Sequence, residues 1–155
     1  MNKLIFEQLI IDSYINRRPL ICTIELTTMC NFRCVHCYVE GKNSPIFLDK
    51  DTVISFIDEI TKRGCLYIVL TGGDPLLHPN FADIYQYARS KCNVIIFTNG
   101  YALTDKLIKL FVSFPPSCIE ITLYGATEET YYKTVGVYAY LKVINSIKKL
   151  VSHNI

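Results

Sequence analysis

Three cysteines stand close together in the segment Cys30-Asn31-Phe32-Arg33-Cys34-Val35-His36-Cys37. At spacings of four and three, their thiolates can converge on one centre if the chain between them loops. Thiolates are soft ligands, so an iron–sulfur cluster, zinc and copper(I) are the candidates. A structural zinc site needs a fourth ligand and usually arrives as two CxxC knuckles. A [4Fe–4S] cluster held by three protein ligands leaves one iron open for a substrate or cofactor. His36 lies between two of the cysteines and is poorly placed to share their metal. The remaining cysteines, Cys22, Cys65, Cys92 and Cys118, sit in or beside apolar segments, where cysteine serves as a small buried hydrophobe.

Three further segments carry polar chemistry. Gly72-Gly73-Asp74-Pro75 is ordinary turn chemistry taken alone, but its glycines also permit close approach of the backbone to a ligand. Thr98-Asn99-Gly100 closes an apolar run, and Thr122 ends another. Threonine is in any case a good strand residue.

The elements that must position these residues alternate along the chain. Pro19 to Leu26, Leu66 to Leu70, Val94 to Phe97 and Ile119 to Leu123 are short, mostly apolar runs that read as strands. Asp49 to Arg63 reads as a helix capped by Asp49 or Asp51, with an apolar stripe of Val53, Phe56, Ile57 and Ile60 and a stop at Gly64. Asn80 caps a second helix carrying Phe81, Ile84, Tyr85 and Ala88. Thr104 caps a third with Leu107, Ile108 and Phe111, and Pro115-Pro116 terminates the segment after it. A last helix carries Leu141, Ile144, Ile147, Leu150 and Val151. Residues 1–19 read as an amphipathic helical segment ahead of this repeat, and residues 20–155 as one core domain. Strand and helix repeated four times predict parallel strands in the order 1-2-3-4, covered by helices. Four units are too few to close an eight-stranded barrel, so an open α/β sheet and the first part of a larger barrel both fit.

Composition narrows the classes. Half of the 155 residues are hydrophobic and 19% are charged, which suits a well-buried fold and not a disordered chain. A net charge of +2 without a basic run gives no electrostatic support for nucleic-acid or membrane partners. Glu7 and Gln8 interrupt the apolar N-terminal run, and no cleavage site follows it, so the expected location is the cytoplasm. An odd count of seven cysteines argues against a disulfide framework.

CNFRCVHCY resembles the CxxxCxxC signature of the radical S-adenosylmethionine (radical SAM) superfamily. That resemblance implies that Cys30, Cys34 and Cys37 bind three irons of a [4Fe–4S] cluster. The methionine part of S-adenosylmethionine then chelates the fourth iron, and backbone around His36 approaches its adenine. Gly72-Gly73-Asp74 resembles the family's GGE motif, which contacts the methionine ammonium. Asp74 departs from it by one methylene, a change that backbone contacts would survive. Thr98-Asn99-Gly100 resembles a third-strand TNG segment that reaches the methionine part, and Thr122 matches a fourth-strand position that hydrogen-bonds the cofactor. All these sites fall at strand C-termini, where α/β folds place ligands.

The resemblance implies a partial (β/α) barrel, here truncated after about four units, and reductive cleavage of S-adenosylmethionine to a 5′-deoxyadenosyl radical that abstracts hydrogen from a substrate. LYGATEETYYKTVG is similar to a stretch of the SPASM-type peptide-maturase branch, which points to a peptide or protein substrate. An electron donor such as flavodoxin or ferredoxin is implied as partner. Two other classes are expected alternatives: a truncated or split fragment that binds a cluster without turnover, and a zinc-binding interaction module.

Overall fold

Strand alternation sorts the side chains into two faces, and the helices cover one of them. In the computed structural model, which describes residues 3–39 and 44–155, the strands are β1 (Ile21–Glu25), β2 (Tyr67–Thr71), β3 (Asn93–Thr98) and β4 (Cys118–Ile121). They form one parallel sheet in the order β1-β2-β3-β4. Ile24, Ile68, Leu70, Val94 and Ile96 point to one face and are buried. Glu25, Tyr67, Phe97 and Glu120 alternate with them and are exposed on the other face.

The helices are α1 (Lys3–Ile15), α2 (Lys50–Lys62), α3 (Phe81–Lys91), α4 (Asp105–Ser113), α5 (Glu128–Val135) and α6 (Tyr140–Ser152), with a 3-10 turn at Pro75–Leu77. Asp49 caps α2 by accepting from the Thr52 amide at 2.9 Å, and Thr104 caps α4 by accepting from the Leu107 amide. Asn80 precedes α3 but makes no side-chain cap bond. Ile57, Ile84, Tyr85, Ala88 and Phe111 close the core against the sheet.

Three expectations are corrected. Phe56 is exposed in α2, and Leu141 and Val151 are exposed in α6, where Val143 and Ser146 are buried instead. Both helices carry more apolar residues than one arc holds, and tertiary packing selects the arc. The first helix is not amphipathic: Leu4, Ile5, Ile10, Ile11, Tyr14 and Ile15 all stand exposed around it. Met1 and Asn2 of the expected N-terminal segment lie outside the described residues. Finally, α5 is an element that the strand–helix repeat does not anticipate. Among the described residues no helix is long and apolar enough to cross a membrane.

Candidate functional site

At the C-terminal ends of the strands lies a cavity of about 300 Å³. It is bordered by Cys30, Cys34, Cys37 and His36 from the loop after β1, and by Gly72 and Gly73 after β2. Thr98 and Asn99 border it at the end of β3, and Thr122 after β4. The structure thus gathers every sequence-predicted residue except Asp74 around one space.

Asp74 lies behind that wall. Its side chain is fully buried, and its carboxylate accepts from the Thr98 hydroxyl at 2.8 Å, the Asn99 amide at 2.9 Å and the Leu76 amide at 3.0 Å. Burial pushes its carboxyl above the usual range, against the pull of these donors. The buried amides and hydroxyl nearby capture the carboxylate, which does not border the cavity.

The two glycines serve the protein's own chain. The Gly73 amide donates to Thr27 O at 2.7 Å and the Asp74 amide to Met29 O at 2.8 Å, so the turn after β2 grips the segment that leads into Cys30. A Cβ added at Gly73 would meet Met29 O at 2.3 Å, and one at Gly72 would meet Thr27 O at 2.3 Å. Close backbone approach is the expected role of these glycines, and the approaching backbone is that of residues 27–29.

Asn99 links two walls of the cavity. Its Nδ2 donates to Asn31 Oδ1 at 2.8 Å and lies 3.7 Å from Cys30 Sγ, while its Oδ1 accepts from the Tyr101 amide. The Phe32 amide also donates to Cys30 Sγ, at 3.4 Å. His36 is exposed, its ring 5.0 Å from that of Tyr124. Burial raises the Tyr124 phenol above its ordinary range, opposed by a hydrogen bond with Thr122.

The cysteine loop has a second anchor in α5. The Arg33 amide donates to Val135 O at 2.8 Å and the Val35 amide to Thr134 O at 3.0 Å. Phe32 is buried edge-on between Tyr101 and Tyr131. A sequence signal for α5 exists: Thr127 followed by Glu128, Glu129 and Thr130 is a cap with an acidic first turn, and the structure forms a capping box there. Phe97 and Glu120 also line the cavity, unpredicted because their facing depends on strand register, and so do Tyr38 and Tyr124 from the loops after β1 and β4.

The scattered cysteines separate by environment. Cys65 is buried, and burial together with neighbouring Cys22 pushes its thiol up to about 12. Cys118, expected to be a buried hydrophobe, is exposed at the start of the edge strand β4. His78, in the loop between the 3-10 turn and α3, is buried: its Nε2 lies 2.8 Å from Leu48 O and its Nδ1 accepts from the Asn80 amide. Among the described residues no three His, Cys, Asp or Glu side chains converge on a point that would hold a single metal ion. The loop sulfurs instead border a common space.

Comparisons with known proteins place this geometry. The chain is 32% identical over 148 residues to the sporulation killing factor maturation protein SkfB of Bacillus subtilis, an alignment covering 94% of this chain and 35% of that protein. It is 29% identical over 134 residues to the mycofactocin maturase MftC of Mycobacterium tuberculosis, covering 85% and 34% respectively. It therefore spans about a third of the length of the curated relatives it matches. In fold it is similar to Streptococcus suis SuiB, solved with its precursor peptide SuiA and with S-adenosylmethionine. The TM-score is 0.80 at 12% identity, over 95–96% of this chain and 34–36% of that one. The partial barrel expected from the sequence is the fold shared with these neighbours. The profile of the radical SAM superfamily matches residues 24–155, the stretch that holds the end of β1, the other three strands and every wall of the cavity, and the chain belongs to that superfamily.

Proposed function

We propose that this chain holds a [4Fe–4S] cluster on Cys30, Cys34 and Cys37 and binds S-adenosylmethionine beside it. One observation carries this reading: the loop sulfurs, the Gly72-Gly73 turn and the Thr98-Asn99 strand end all border the same cavity. A donor set of thiols around a space, with no single-ion site among the described residues, suits a cluster better than one zinc ion. The chemistry supplied by the bound groups is one-electron cleavage of the sulfonium, giving methionine and a 5′-deoxyadenosyl radical that takes hydrogen from a substrate C–H bond.

The protein's own residues hold and shield these groups. Amide donors from Phe32 and Asn99 reach Cys30 Sγ and fix its direction. Gly72, Gly73, Thr98, Asn99 and Thr122 offer backbone and hydroxyl groups to the methionine part, and His36 with Tyr124 forms an aromatic rim for the adenine. Asp74 acts indirectly, by holding the ends of β2 and β3 in register. Maturases among the relatives favour a peptide or protein substrate, entering over Phe97 and Glu120 on the uncovered sheet face. A small electron donor of the flavodoxin or ferredoxin kind reduces the cluster, in the reducing cytoplasm that such thiolate sites need.

Anaerobic reconstitution tests the reading. About four irons per chain are expected, as the cluster requires. Cys30→Ala, Cys34→Ala and Cys37→Ala each lose them, whereas alanine at Cys22, Cys65, Cys92 or Cys118 keeps them. Tightly bound zinc in place of iron, or loss of iron from Cys65→Ala alone, would overturn it.

A further inference from the structure

The loop that carries the three cysteines has a second side, turned away from the cavity. Arg33 and Val35 belong to it: both are exposed, Val35 to 80%, and neither borders the cavity. Along this side the loop is seamed to the end of α5. The Arg33 amide donates to Val135 O and the Val35 amide to Thr134 O, and a Cβ added at Gly136 would lie 3.3 Å from Arg33 Cβ. Past Gly136 the ring of Tyr138, 70% exposed, stacks on that of Tyr132, with centroids 4.3 Å apart and planes 17° from parallel. Arg33 Nη1 is held by Cys30 O at 2.9 Å and Phe32 O at 3.0 Å, so the guanidinium is fixed on the loop.

Tyrosine and arginine are the residue types that interfaces concentrate, because each gives a large contact area with a polar end. The charge of this face also has one sign. Residues 26–38 and 130–142, which make the two sides of the seam, hold Arg33, Lys133 and Lys142 and no aspartate or glutamate, in a chain whose net charge is only +2. The nearest acids in sequence are already engaged. Glu128 accepts the Tyr140 and Leu141 amides, and Glu129 pairs with Lys133 at 2.8 Å, an exposed contact that water screens. An aromatic anchor beside a one-signed field fits an acidic partner.

We propose that this seam is the docking face for a small, acidic one-electron carrier protein, with the Tyr132–Tyr138 stack as its anchor and Arg33 as the charge that receives it. The inference rests on the proposed assignment of the cluster to Cys30, Cys34 and Cys37. An electron has to reach that cluster while S-adenosylmethionine and substrate fill the cavity side. The outer side of the same loop is the approach that they leave open. With a flavin carrier, the anionic hydroquinone gives up one electron and becomes the neutral semiquinone. The cluster takes that electron and passes from its oxidised to its reduced state, and no proton moves.

The test uses the reconstituted full chain and a purified acidic flavodoxin. Calorimetry reads the affinity for oxidised flavodoxin, and bleaching of the cluster absorbance reads the rate of reduction by its hydroquinone. Tyr138→Glu sets a like charge against the carrier and is expected to lower affinity and rate roughly fivefold or more. Tyr138→Arg keeps a planar group for Tyr132 and adds a cation, so it is expected to raise both. The two effects should shrink as salt is raised. Iron content and reduction by dithionite, a small ion that needs no docking face, stay at wild-type values in both variants. Tyr14→Glu places the same charge on α1, where Tyr14 is 85% exposed, and should leave every reading unchanged. Equal affinities and rates for wild type and both Tyr138 variants overturn this inference and leave the cluster assignment standing. So does an iron-loaded wild type that dithionite reduces and flavodoxin does not. A wild type that self-associates, with Tyr138→Glu restoring the monomer, gives the face to a second copy and overturns it too. Wild-type protein without iron overturns the cluster assignment and this inference together.

Discussion

The Thr98 hydroxyl donates to Asp74 at 2.8 Å, and through that contact the end of β3 is tied to the turn after β2. The same carboxylate oxygen accepts the Asn99 amide, and Asn99 in turn reaches Cys30 Sγ. Three walls of the cavity thus hang on one buried acid.

Asp74 should therefore govern stability as a function of pH. Burial keeps its carboxyl protonated above the ordinary carboxylate range. Between the unfolded value of about 3.9 and the raised folded value, the folded state binds more protons than the unfolded state. Stability from this group thus falls as pH rises through that window. Asp74→Asn removes that slope, and Asp74→Ala, which strands three donors, should cost more than about 2 kcal/mol. Asp74→Glu places an extra methylene in a fully buried site and should cost about 1–3 kcal/mol. Urea unfolding from pH 4 upward measures all of these; parallel pH dependences for wild type and Asp74→Asn would refute the first.

Gly73 should tolerate no side chain at all. Its missing Cβ leaves room for Met29 O, which would otherwise lie at 2.3 Å. Backbone cannot swing aside as a flexible side chain can, so Gly73→Ala must displace residues 27–29 and with them Cys30. A loss on the order of 3 kcal/mol is expected, together with poor iron loading. Thermal unfolding and iron analysis check both, and a stable variant that loads iron normally would show that the turn can open without cost.

Much of this is legible in the sequence because it is local in the chain. The cysteine spacing, the strand-end motifs and the Asp49 and Thr104 caps all depend on residues a few positions apart, and the strand order follows from the repeated strand–helix unit. Where a side chain points across elements is not local. Asp74 stands out in the sequence by its place after two glycines, yet its carboxylate is held by Thr98 and Asn99, 24 and 25 residues away, as well as by the nearby Leu76 amide. Val143, buried in place of Leu141, shows the same limit: α6 offers several apolar arcs, and only packing against the cysteine loop chooses one. For α5 the obstacle is different. Its half-polar sequence lacks a clear apolar stripe, so only the capping pattern at Thr127 marks it as a helix.

The join between α5 and the cysteine loop gives the last prediction. Gly136 ends α5 in the left-handed region at φ 72°, and its amide donates to Tyr132 O. The helix's last carbonyls, at Thr134 and Val135, are thereby left to receive the Val35 and Arg33 amides. Gly136→Ala must strain the left-handed turn, at about 1 kcal/mol, and it brings a Cβ to 3.3 Å from Arg33 Cβ. The loop that carries Cys34 should loosen, so iron loading slows beyond what the stability loss explains. Gly64→Ala is the control. Gly64 also has a positive φ, 97°, but nothing lies within 4 Å of its added Cβ, and it follows α2 far along the chain from the loop. The two variants should lose similar stability in urea, while only Gly136→Ala loads iron slowly in stopped-time reconstitution. Equal loading rates would mean that α5 supports the loop without steering it.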